Sequence, residues 1–100
     1  MKIGILVNSD KRLDDIVGIT RAAVEKGHEV NIFAMDEGVR LLCEPEFTGL
    51  CGIDGVEMSY CDHSTDQLKC KPKGIPGEIV CGSQYDNAAM AHNSDRVIVL

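Results

Sequence analysis

Tryptophan is absent from this 100-residue chain, and only two Phe and two Tyr stand in its place. The core must therefore be built from Val, Ile, Leu, Met and Ala. Basic residues are scarce: ten Lys and Arg against sixteen Asp and Glu leave a formal charge of −6. An acidic chain without a basic stripe is a poor match for a phosphate backbone, so no nucleic-acid partner is expected. Long apolar runs are also missing. The run at residues 3–7 turns polar at Asn8, far short of the ~18 residues that cross a bilayer and without the flanks of a signal peptide. No membrane partner is expected, and the protein is read as cytoplasmic. Closely spaced cysteine pairs are absent too. The five cysteines, Cys43, Cys51, Cys61, Cys70 and Cys81, are odd in number and never fall into a C-x₂₋₄-C spacing, which argues against a disulfide framework and against a zinc site.

Phosphate-binding and hydrolase signatures fail in turn. Asn8-Ser9-Asp10-Lys11 stands where a Gly-rich dinucleotide turn would follow the first strand. That turn also has no run of Ser, Thr and Gly to hold a flavin phosphate. Residues 77–83 have half the spacing of a P-loop but lack its lysine. No G-x-S-x-G elbow is present. No cofactor is expected.

What the chain does have is a regular alternation of strand and helix patterns. The apolar run at 3–7 suits a strand covered on both faces. Ser9 or Asp10 is the expected cap of the following helix, with Asp14 and Asp15 in its first turns. Leu13, Ile16, Val17, Thr20, Ala23 and Val24 recur at helical spacing, and Gly27 closes that helix. Residues 30–35 read as a second strand. Asp36-Glu37-Gly38 turns into a short helix carrying Val39, Leu41 and Leu42. Pro45, Gly49, Gly52 and Gly55 read as loop. Residues 56–61 form a third strand, 62–70 a short helix, 71–77 a loop with two prolines and two glycines, and 78–81 a short strand. Tyr85, Ala88, Ala89 and His92 share one face of a last helix, and residues 96–100 end the chain as a strand. The expected fold is a single domain over residues 1–100: a small flavodoxin-like α/β domain of three layers with a mostly parallel sheet of about five strands. A chain this short buries only about two-thirds of its unfolded surface, so packing against a copy of itself is a natural source of stability.

The most informative segment is Val56-Glu57-Met58-Ser59-Tyr60-Cys61, followed at once by Asp62-His63-Ser64. It places a thiol at the carboxyl end of a strand, where open α/β sheets bind ligands. A helix starting there would favour a thiolate, as would a protonated His63, whereas Asp62 opposes it. The plain alternative is a half-buried cysteine that does no chemistry. Cys70, between Lys69, Lys71 and Lys73, is the second candidate, although such a lysine run is usually a solvated loop. Cys43, Cys51 and Cys81 read as structural, with Cys81 pointing into the core. His28 reads as surface and His92 as a structural histidine on the apolar face of the last helix.

Three stretches extend the reading. Val30-Asn31-Ile32-Phe33 precedes Glu37-Gly38-Val39. The third strand ends in Cys61. Cys81-Gly82-Ser83-Gln84-Tyr85 leads through Ala88-Ala89-Met90 to Ser94-Asp95-Arg96-Val97-Ile98-Val99. In order and spacing they resemble the DsrE/DsrF-like (sulfur-relay, YchN-like) family. The resemblance implies a flavodoxin-like fold, a cytoplasmic homo-oligomer, often a trimer or hexamer, and in some members persulfide transfer on one cysteine, here Cys61. The chain departs from the sulfur-relay members in Asp62-His63-Ser64 and in residues 66–77. Three readings follow. The first is a sulfurtransferase or sulfur carrier acting with donor and acceptor proteins through Cys61 and His63. The second is a ligand-binding module with a cleft at the strand ends lined by Asn8, Ser9, Met35, Cys61 and His63. The third is a redox or metal sensor using Cys61, His63 and a second thiol such as Cys70.

Overall fold

A computed structural model describes all of residues 1–100. Five strands form one sheet, β1 (Lys2–Val7), β2 (Glu29–Ala34), β3 (Val56–Cys61), β4 (Val80–Gly82) and β5 (Arg96–Val99). Their order is β4-β3-β2-β1-β5 and every pair is parallel. The helices are α1 (Leu13–Glu25), α2 (Pro45–Thr48), α3 (Asp62–Gln67) and α4 (Gln84–Asn93), with 3₁₀ turns at Asp36–Cys43 and Gly49–Gly52. This is the flavodoxin-like α/β arrangement expected from the sequence.

Handedness decides where the helices go. The chain steps from β1 to β2, β3 and β4 in one direction across the sheet, then returns past β1 to β5. Right-handed crossovers put the first connections on one face and force α4 onto the other. Alternation along each strand then builds two cores. Ile5, Val7, Val30, Ile32, Val56 and Met58 join Ile16 of α1 and Phe47 of α2 in the larger one. Phe33, Cys61 and Met90 form the smaller core beneath α4.

Local chemistry fixes the element ends. Gly27, at φ +85°, ends α1. The His28 N–H reaches the Ala23 carbonyl at 3.0 Å, and the Gly27 N–H reaches Val24 at 2.9 Å, the paired bonds of a Schellman motif. Gly38 is required by a close approach: a Cβ there would sit 2.2 Å from the Val7 carbonyl oxygen.

Four expectations need correction. Neither Ser9 nor Asp10 caps α1, which starts after Arg12 without a side-chain cap; Ser9 Oγ instead accepts the Lys11 N–H at 3.1 Å, a local turn that competes with the cap. The stretch read as loop from Pro45 contains α2, because Pro45 opens the helix, a position that does not need its missing N–H. The face of α4 carrying Tyr85, Ala88 and His92 is exposed, and Met90 is the residue it buries. Cys81 is exposed as well, because β4 is an edge strand of three residues with no element covering that position.

Candidate functional site

The connections after β3 and β4 leave the sheet in different directions. These strands are neighbours, with Cys61 beside Gly82. α3 and the loop after it stay with the larger core, whereas α4 crosses to the opposite face. Diverging connections from adjacent parallel strands open a crevice at their carboxyl ends. Here it is an open cleft of about 610 Å³, whose lining includes Met35, Cys61, His63, Ser64, Gly82 and Gln84.

Cys61 ends β3 and is the residue before the first turn of α3, with φ −85° and ψ 112°. Only 2 % of it is exposed. Burial pushes its thiol pKa up, but hydrogen bonds from the Ser64 hydroxyl and N–H, the Gln84 side chain and the His63 N–H outweigh it, so the pKa lies below the ordinary value. The donors have a common origin. α3 turns its unpaired N–H groups toward the strand end, and Gln84, the first residue of α4, arrives from the neighbouring strand.

Ser64 is 5 % exposed, and its Oγ accepts the Asp36 N–H at 3.0 Å. Asp36 stands at φ +48°, a left-handed conformation that Asp tolerates better than most residues. That turn aims the peptide N–H at Ser64. Gln84 is steadied from two sides. Its Nε2 donates to the Met35 thioether at 3.7 Å, and its Oε1 accepts from Asn87 at 3.1 Å. Below it, Ser83 and Asp86 close a capping box on α4. The box explains Gly82, where a Cβ would meet the Asp86 carboxylate at 2.2 Å.

The negative charge next to the thiol is compensated. Lys71 Nζ lies 2.9 Å from Asp62 and 3.2 Å from Asp66. The Lys71 bond holds the Asp62 carboxyl below its usual range, and the two carboxylates raise the lysine. Tyr60, on the opposite face of β3, is pushed up to about 12 by burial and by its neighbour Cys81.

The sequence candidates separate in space. Met35, Cys61 and His63 line one cleft. His63 is exposed, and it is its backbone N–H, not its imidazole, that helps lower the Cys61 pKa. Asn8 and Ser9 follow β1 and do not line the cleft, because β2 stands between β1 and β3. Cys70 packs against the larger core and Cys61 belongs to the smaller one, so the sheet separates the two thiols. No three His, Cys, Asp or Glu side chains gather where a metal ion could be held. Cys51 is tied to Glu78 at 3.7 Å; burial and that carboxylate raise its pKa, which keeps it a thiol. Sequence reading missed Asp36, Ser64 and Gln84. The visible signal for Gln84 was Ser83-x-x-Asp86, a capping pattern that puts the start of a helix beside the third strand's end.

No family model matches the sequence, and no curated protein matches it. Solved structures do. YchN from E. coli superimposes with a TM-score of 0.77 at 14 % identity, covering 100 % of this chain and 99 % of that one. MTH1491 from Methanobacterium thermoautotrophicum, a protein of unknown function, gives 0.78 at 14 % identity over 99 % and 98 % of the two chains. At this identity the likeness establishes the fold from end to end. The resemblance to DsrE/DsrF-like proteins, of which YchN is one, holds at that level.

Proposed function

We propose that this protein is a sulfur carrier that holds sulfane sulfur as a persulfide on Cys61. The observation that carries the reading is the setting of that thiol. It is buried, it ends a strand at a crevice, and the donor groups of Ser64, Gln84 and His63 around it favour its anion over its acid. Cys61 thiolate attacks the outer sulfur of a donor persulfide. The new S–S bond forms at Cys61, the donor S–S bond breaks, and the donor leaves as a thiolate. An acceptor thiolate then attacks the same outer sulfur and releases Cys61 as a thiolate. Each exchange is isoelectronic, so neither metal nor redox cofactor enters. His63 contributes its N–H to the anion, and its exposed ring stands at the mouth of the cleft where donor and acceptor proteins meet the chain. Met35 and Gln84 form the wall facing them. Asn8, Ser9 and Cys70 have no part in these steps. The carrier works as a homo-oligomer in the cytoplasm.

The same cleft supports the second reading, a small-ligand module, through its volume of about 610 Å³. One experiment separates the two. Anaerobically purified protein is weighed intact before and after incubation with a persulfide donor, beside Cys61→Ser. A gain of about 32 Da, one sulfur atom added by thiol exchange, that is absent from the variant supports the carrier. No gain in the native chain overturns it and leaves the ligand module.

A further inference from the structure

α4 covers only part of its face of the sheet. Between it and the β4 edge runs a groove of about 520 Å³, lined by side chains such as Ser59, Val80, Ala89 and Met90, and walled by Glu57, Glu78 and Asp86. None of the residues lining it is Lys, Arg or His, and none of the three carboxylates takes part in an ion pair. Val80 is 53 % exposed on its floor and Tyr85 79 % exposed on α4 beside it. An apolar floor between unpaired carboxylates is suited to an apolar segment bearing ammonium groups.

The chain carries such a segment. Residues 69–76 read Lys-Cys-Lys-Pro-Lys-Gly-Ile-Pro and form the loop ahead of β4. Lys71 anchors it by its two ion pairs to α3. Lys69 and Lys73 are exposed and make no ion pair, while Pro72, Ile75 and Pro76 are half-buried. Lys69 stands at φ +53°, which fixes the turn at the start of the loop. The loop packs against the larger core through Cys70 and Ile75, and the groove runs along the β3 edge beside α4.

We propose that the lysine loop of one copy docks in the acidic groove of a second. The inference rests on the homo-oligomer named above and assigns the two surfaces that meet. Because the surfaces differ, the contact is head-to-tail, a geometry that forms a ring when its rotation closes. Charge complementarity selects this occupant. In a chain of net charge −6, the loop is the one run of closely spaced lysines, and Lys69 and Lys73 within it make no ion pair.

Reciprocal charge reversal, followed by sedimentation velocity, tests it. The native chain is expected to assemble, and to dissociate as salt rises. Glu57→Lys/Glu78→Lys and Lys69→Glu/Lys73→Glu should each be monomeric with native circular dichroism. Mixing the two variants should restore assembly, as should all four reversals in one chain. A monomeric native chain overturns the proposal, and so does an assembly that keeps its size in both double variants. Sulfur loading of Cys61 is read by mass and is independent of either outcome.

Discussion

At the scale of single residues, the thiol is set by donors that are each removable. Ser64→Ala removes a donor beside the thiol, and a hydrogen bond to a charged acceptor is worth about 1.5–3 kcal/mol. Alkylation of Cys61 by iodoacetamide near neutral pH should slow roughly tenfold, with the rate profile moved to higher pH. A profile that does not move means that Ser64 only packs. The same depressed pKa is linked to folding. The native state favours the anion, so this contribution is fully present above the unfolded thiol value and is lost as pH falls through the folded one. Urea midpoints should therefore rise toward alkaline pH in the native chain relative to Cys61→Ser. Thr20 is a separate case. It is fully buried in α1, and its hydroxyl has no partner. Thr20→Val keeps the shape and removes the orphan, and should stabilise the fold by about 1 kcal/mol in urea titration.

At the scale of elements, two close approaches hold the site together. Gly38 lets the turn after β2 rest on the end of β1, and backbone atoms there cannot yield to a Cβ. Gly38→Ala should cost about 3 kcal/mol, read from the thermal midpoint. Gly82→Ala meets a carboxylate that can swing away; it should open the capping box at about 1 kcal/mol and disturb Gln84. These contacts also mark where the sequence was legible. β3 runs over the residues its pattern indicated because alternation, a flanking Gly55 and a following polar triplet all agreed. Gly27 announced its helix end for the same reason. Pro45 misled because proline breaks a helix interior but opens a first turn equally well. Cys81 misled because a short apolar run does not reveal whether its strand lies at an edge. Cys61 was found from its strand, but Ser64 and Asp36 meet only through the fold, 28 residues apart in sequence. Cys61 and Cys81 sit one residue out of register on neighbouring strands, so their side chains point to opposite faces. Mild oxidation of the native protein should leave them unlinked, as checked by peptide mapping.

At the scale of the whole molecule, cohesion is uneven across the sheet. β1 and β2 pair over six positions at its centre, whereas β4 meets β3 over three, at an edge. No helix is long and apolar enough to cross a membrane, and the fold is organised on this one sheet and its two unequal cores. The shortest ladder is also the one that leads into Gly82, Ser83 and Gln84, one wall of the thiol cleft. Stability is lowest where buried apolar contacts and ladder bonds are fewest. Amides of the edge strand should therefore exchange with deuterium far sooner than those at the centre of the sheet. A sulfur only 2 % exposed is then reached at the frequency with which its thinnest wall breathes. For the carrier proposed above, turnover would be a property of local unfolding as much as of nucleophilicity, and a persulfide on Cys61 would be shielded from bulk solvent for as long as that wall stays shut.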